Sequence, residues 1–401
     1  MLGSHRNGGS RPLRVCHVAY TYYPFDVRVH KEVTAIRAAG HEVDVIVMQD
    51  FGEPREELID GTIVHRIPIE IVRGGVARYI FQYALFLLLV SVLLLRLQFR
   101  RRFAIVHVHS LPDFQVFCAI PEKAFGARVV LDLHEAMPEI LAARLNLAPD
   151  HYLVRAAKAL EWVSCAIADG VLVVNESIRD LLQERGVETS KMSVVMNSPD
   201  LSSLTAATEN PRAPTEKIVY AGGINSERDL HSLVRASAKL QATHPHELVF
   251  YGSGLGTYQG FLSQIAASLG LTGRFRLAGR IPTDQVHSLI LQSAVGPVTY
   301  ERNSLTLLAV PNKIFEYAAA RVPIVAADLP AIRRVFGDAA LYYNPGNPED
   351  LASKIARVFE DTHTAAALVQ RASKVLDACS WAIMQRRLLA LYAQLFPAGE
   401  Q

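Results

Sequence analysis

Cysteine is scarce in this chain: there are four in 401 residues, Cys16, Cys118, Cys165 and Cys379, far apart and in no metal-ligand spacing. That spacing excludes a zinc finger or ribbon and a disulfide-stapled scaffold, and the residues read as buried thiols of a reducing compartment. Charge of one sign is equally lacking. The formal net charge of +2 is left by 41 basic and 39 acidic side chains, too balanced for the field that nucleic acid requires, so no nucleic-acid partner is expected. The opening MLGSHRNGGSRP has no apolar core of the kind an export signal needs. Residues 1–13 are therefore expected to form a disordered tail on a cytoplasmic body. No Asp-x-Asp follows a strand pattern, and no histidine and carboxylate set has metal-ligand spacing. Metal independence is the expectation.

What is present is a long, alternating α/β pattern. The length fits two domains, and a hydrophobic content of 50% supports substantial cores. Short β-branched runs alternate with helical stretches, the mark of βα units and parallel sheets. The first series is 14–19, 43–48, 63–67, 104–109, 128–133 and 170–174, with helices at 29–39, 152–168 and 175–185. The second is 217–221, 247–251, 275–279, 294–299, 323–327 and 340–343. Between them, 197–216 is polar, proline-bearing and aperiodic, and reads as a linker. The expected organisation is an N-terminal lobe over 14–200, a second lobe over 201–375 and a terminal helical segment over 376–401 that packs back on the first lobe. Open parallel sheets bind ligands beyond the carboxyl ends of their strands, so a central cleft between facing lobes is expected to hold the site.

Three local patterns sit at such strand ends. In VPNKIFEYAAARVPIV, Val310 is pushed to an extended conformation by the proline after it, and a helix follows. Its first turn, with Pro311 and Asn312, offers free N–H groups and a positive dipole end to a diphosphate. Lys313 adds a charge there, and Glu316, three residues on, can accept hydrogen bonds from ribose hydroxyls. An ordinary amphipathic helix with a surface Lys–Glu pair would show the same residues. In YAGGINSERDL, Gly222 and Gly223 allow close backbone approach, and Arg228 can neutralise a phosphate, although a tight turn with a solvated arginine reads equally well. Gly252 and Gly254 in YGSGLG form a similar but weaker signal. In LDLHEAMPE, His134 follows its strand directly and can bind a sugar or relay a proton. His109, with Asp113 nearby, ends the preceding strand. A structural hydrogen-bonding role fits either histidine as well.

These segments resemble glycosyltransferase family 4, the retaining enzymes of the GT-B fold, over nearly all of residues 14–396. The likeness runs through FDVRVHKEVTAIRAAGHEVDVI, HVHSLPD, VVLDLHE, YAGGINSERDL, LVFYGSG and RFRLAGRIP, and most specifically through PNKIFEYAAARVPIV. The resemblance implies a Pro-Asn-Lys variant subgroup with two Rossmann-like lobes. It implies transfer of a sugar from a UDP- or GDP-sugar co-substrate, with no other cofactor, to a saccharide or lipid-linked acceptor. It assigns the donor ribose to Glu316, the diphosphate to Arg228, Lys313 and the helix start, and the transferred sugar's surroundings to His134. Arg28 would lie near the cleft and touch phosphate or acceptor, with an exposed helix-start role as the alternative. Three positions depart from the family pattern: Leu308 replaces a glutamate, Gly223 a basic residue and Arg321 a helix-ending glycine. Without a well-placed carboxylate nucleophile, the expected chemistry is front-face attack assisted by the departing diphosphate. A nucleotide-sugar epimerase shares the two-lobe plan but would need additional acid and base carboxylates.

One apolar run, YIFQYALFLLLVSVLLL at 79–95, is followed by Arg96, Arg100, Arg101 and Arg102. As a helix it spans only ~25 Å, against a hydrocarbon core of about 30 Å. A single crossing would also separate strands 63–67 and 104–109, which the fold needs in one sheet. The expectation is an interfacial helix over 79–102, its arginines on anionic headgroups at the inner face of the plasma membrane, with a buried core helix as the alternative.

Overall fold

The computed structural model describes residues 12–69, 76–199 and 216–396. Most of the expected linker and all but two residues of the expected tail lie outside them. Two compact units divide the chain: 1–196 with 384–401, and 197–383.

The first unit is built on β1 (Arg14–Val18), α1 (Val27–Ala38), β2 (Glu42–Met48), β3 (Glu56–Ile59), β4 (Thr62–Ile67), α2 (Val76–Arg101) and β5 (Ile105–His109). It continues with α3 (Ile120–Lys123), β6 (Arg128–Leu133), α4 (Met137–Leu145), α5 (Tyr152–Ile167), β7 (Gly170–Val173), α6 (Glu176–Glu184) and β8 (Met192–Val194). The strands form one sheet in the order β3-β4-β2-β1-β5-β6-β7-β8. Every neighbouring pair is parallel except β3–β4, an antiparallel edge hairpin. Val15, Val18, Ile46, Val106, Val108, Leu131 and Leu172 are all fully buried, because helices cover both faces of a parallel sheet and leave no polar side. The register sets His17 beside His107.

Helix α2 is one-sided. Gln82, Phe86, Val90, Leu94 and Gln98, four residues apart, are buried, while Ile80, Phe81, Leu88 and Phe99 are each more than 60% exposed. That spacing is a single stripe along one helix face. It is therefore not a buried core helix. By length and composition it could cross a membrane. However, β4 before it and β5 after it belong to the same sheet, so a single passage would divide that sheet.

The second unit holds β9 (Lys217–Ala221), α7 (Leu230–Leu240), β10 (Glu247–Tyr251), α8 (Gly256–Ser268), β11 (Phe275–Gly279), α9 (Thr283–Ile290) and β12 (Gly296–Val298). It continues with α10 (Asn312–Ala319), β13 (Ile324–Ala327), α11 (Pro330–Phe336), β14 (Leu341–Tyr343), α12 (Pro348–Glu360) and α13 (Thr362–Ala378). Two parallel three-stranded sheets, β11-β10-β9 and β12-β13-β14, meet along β9 and β12 without a regular ladder. Side chains satisfy the backbone at that seam: Ser293 Oγ accepts from Val219 N at 2.8 Å, and Tyr317 Oη donates to Val219 O at 2.8 Å. A Cβ on Gly296 would stand 2.5 Å from Tyr317 Cγ, so only glycine leaves the ring its place.

The last helix, α14 (Trp381–Leu395), packs on the first unit from Met384 onward. Leu391 lies against Gly170, whose absent Cβ would be 3.1 Å from Leu391 Cδ1, and Tyr392 Oη is 2.8 Å from His107 Nδ1.

Candidate functional site

In the second unit, the ends of β9 and β10 are locked together by backbone. Gly222 N donates to Tyr251 O, and Gly252 N donates to Gly279 O. Gly222 has φ +147° and Gly252 has φ +151°, and a Cβ on Gly252 would sit 1.8 Å from Gly222 O. A Cβ on Gly254 would sit 1.7 Å from Ile224 O. Gly252 and Gly254 therefore brace the turn that presents Gly222, whereas Gly223 has open space around it.

Beside this turn, α10 opens with Pro311 as its N-cap residue in extended conformation and exposed Asn312 as its first residue. Lys313 is only 7% exposed, its Nζ lies 3.4 Å from the centre of the Tyr220 ring, and it has no hydrogen-bond acceptor among the described residues. Burial first, and the like charge of Arg228 second, hold its pKa well below the ordinary lysine value, with Glu316 opposing both. Glu316 is itself raised by burial and lowered by Lys313. Arg228 closes the 3₁₀ turn Ser226–Arg228, stacks 4.6 Å over the Tyr300 ring, and leaves Nε buried without an acceptor. Lys313 and Arg228 thus each lie over an aromatic face, and Glu316 is the acidic side chain that acts on Lys313. The sequence pattern located Lys313, Glu316 and Arg228 but not Tyr220 and Tyr300, whose roles depend on which strand each ring overlies. Asp229 was also missed as an organiser. Fully buried at φ +47°, it accepts from Tyr343 Oη and Gly346 N and thereby anchors the turn that carries Arg228.

In the first unit, the histidines lie in a buried network. Arg28 is 4% exposed and grips Asp132 with Nε–Oδ2 and Nη2–Oδ1 contacts of 2.6 Å, while its Nη1 donates to Val195 O. Its guanidinium is spent inside the fold, which corrects both the exposed helix-start role and the ligand-facing one. His109 is 1% exposed, between Asp132 and His17. Asp113 is 3% exposed at the start of the 3₁₀ turn Asp113–Ala119, where burial raises its pKa well above the carboxylate range. Neither borders a surface where an acceptor would lie. His134 alone of this group meets solvent, with a side chain 23% exposed and Nε2 held 3.1 Å from Asp132 Oδ2. Burial would raise the Asp132 pKa, but Arg28 and the two histidines reverse it, leaving Asp132 ionised.

Comparison with known proteins identifies the family and the fold. Residues 26–203 match the family model for Glycosyltransferase Family 4, and residues 215–361 match that for Glycosyl transferases group 1. The chain belongs to the family 4 glycosyltransferases. It is 24% identical over 371 residues to a glycogen synthase of Mycobacterium tuberculosis, covering 87% of this chain and 86% of the relative. An uncharacterized glycosyltransferase of Methanocaldococcus jannaschii is 22% identical over 376 residues, covering 88% and 90%. The fold is GT-B. A sucrose-phosphate synthase from Thermosynechococcus elongatus superposes with TM-score 0.75 at 15% identity, covering 96% of this chain and 99% of that one. Anabaena HepE in complex with UDP superposes with TM-score 0.70 at 14% identity, covering 95% and 100%.

Proposed function

We propose that this glycosyltransferase retains anomeric configuration and takes a UDP- or GDP-sugar as donor, the diphosphate lying against Gly222, Gly223, Asn312, Lys313 and Arg228. The observation that carries the reading is the pair of under-compensated cations, Lys313 over Tyr220 and Arg228 over Tyr300. A positively charged surface at strand and helix ends is matched by a ligand with two phosphates, and it stabilises the charge that develops as the glycosidic bond breaks. Glu316, one helical turn beyond Lys313, takes the ribose hydroxyls. His134, fixed through Asp132 and Arg28, is the first unit's contact for sugar or acceptor. With no carboxylate among these residues placed as a nucleophile, the leaving diphosphate takes the acceptor proton. HepE, a solved relative in fold, is a complex with UDP, which favours a uridine donor by analogy alone.

The acceptor follows from α2. Ile80, Phe81, Leu88 and Phe99 form an exposed apolar face, continued by Phe125, which meets Phe99 edge-on with ring centres 5.1 Å apart. Arg96 and Arg100 stand on the same helix. This face suits the interfacial layer of an anionic membrane, on the cytoplasmic side where nucleotide sugars are made, and a lipid-linked saccharide acceptor. The test is turnover of donor on a polyprenyl-linked acceptor in anionic vesicles, with product anomers read by NMR. The proposal expects the donor's anomeric configuration in the product, loss of vesicle binding in Phe81→Ser/Leu88→Ser/Phe99→Ser, and a lower kcat in Arg228→Ala. An inverted product, or unchanged kcat in Arg228→Ala, contradicts it.

A further inference from the structure

Inside the first unit, His17 on β1, Glu32 on α1, and His107 and His109 on β5 are each no more than 1% exposed, and one donor atom from each lies within 4.8 Å of one from every other. One set of ring states leaves lone pairs facing this space. His109 Nδ1 lies 3.1 Å from both Asp132 Oδ2 and His134 Nε2; when it donates to the Asp132 carboxylate, His109 keeps Nε2 bare. His17 must then donate from Nδ1 to His109 Nε2, 2.8 Å away, which leaves His17 Nε2 a bare lone pair. That nitrogen is buried with no partner. With Nδ1 donating to Tyr392 Oη, 2.8 Å away, His107 also keeps Nε2 bare, and that nitrogen is buried with no partner among the described residues, 3.6 Å from Glu32 Oε2. Neither oxygen of Glu32 has an aligned donor, although Arg28 Nη2 lies 3.2 Å from Oε1. Two buried imidazoles, each held by a hydrogen bond through its other ring nitrogen, facing a buried carboxylate, make an arrangement in which proteins hold a metal ion.

We propose that His17, Glu32 and His107 bind one divalent transition-metal ion, zinc fitting the imidazole and carboxylate donors best, with His109 and Tyr392 orienting the ligands from behind. The ion would tie β1, α1, β5 and the returning helix α14 together in a structural role separate from sugar transfer. Strand alternation places His107 and His109 on one face, but His17 joins them only through β1–β5 pairing and Glu32 only through helix packing. No linear spacing reveals such a set.

Tag-free protein, purified without chelator, should carry about one equivalent of zinc by elemental analysis, and cobalt exchange should give visible ligand-field bands. Removing the metal by prolonged dialysis against a strong chelator should lower the thermal midpoint, and adding zinc alone should restore it. Tyr392→Phe, which keeps the packing, should weaken zinc binding about 10–100-fold. Glu32→Gln should lose the metal while remaining soluble. Protein with no metal, whose thermal midpoint neither zinc nor chelator moves, would overturn the proposal.

Discussion

Replacing Lys313 with methionine separates binding from stability. Burial of a lone ammonium costs several kcal/mol, and the face of Tyr220 returns about 2 kcal/mol of that. A methionine of similar length should pack in the same slot without the penalty, so Lys313→Met should stabilise the second unit by about 1–3 kcal/mol. For a unit of this size each kcal/mol raises the midpoint by about 2–4 °C. The sign with pH follows from the depressed pKa, whose first cause is burial. Below the folded-state pKa both states are protonated and the wild-type penalty is complete. As pH rises from there towards the unfolded value of 10.5, the unfolded chain holds more protons and the wild type recovers stability. The advantage of Lys313→Met should therefore be greatest at low pH and shrink towards pH 10.5. Differential scanning fluorimetry across pH, with and without UDP and GDP, reads both halves: a higher midpoint without nucleotide and a smaller rise with it. A variant less stable than wild type at neutral pH, yet stabilised by nucleotide to the same extent, would refute the reasoning.

Two further substitutions test the scaffold. Gly252→Ala forces a Cβ to within 1.8 Å of Gly222 O at a φ that L residues avoid, whereas Gly223 has no heavy atom nearer than 3.8 Å. Urea unfolding should show a loss of about 2–4 kcal/mol for Gly252→Ala and within about 0.5 kcal/mol for Gly223→Ala. Arg28→Met strands Asp132 as a buried anion and should cost about 3–5 kcal/mol, with Arg28→Met/Asp132→Leu recovering much of it in a double-mutant cycle. Equal losses in the single and double variants would mean that the pair is not the source of the effect.

Much of this architecture was legible in the residues because buried parallel strands are unbroken apolar runs. RVVLDL, KIVYA and ELVFY announce themselves, as do the amphipathic helices between them. The edge strand β3 did not, since EELI is exposed, charged and only four residues long. Strand β8, at three residues, is held by β7 rather than by its own pattern. The gap between β9 and β12 depends on where a ring from α10 lands, which local patterning does not encode. The same division holds at the site. Lys313 and Arg228 stand at helix or turn ends, with Glu316 one helical turn beyond Lys313, and could be picked out, whereas the aromatic faces beneath Lys313 and Arg228 could not. Arg28 looked exposed because it opens a helix. It is buried because Asp132, 104 residues away, lies under that helix.

The central claim is that the residues around α10 hold a nucleotide-sugar donor. It is tested most directly by turnover of a panel of UDP-, GDP- and ADP-sugars by wild type and Glu316→Ala, with folding of the variant checked by circular dichroism. Saturable turnover of one donor by the wild type, and its loss in a folded Glu316→Ala, is the expected result. Equal turnover by both proteins would contradict the assignment of the donor to this helix.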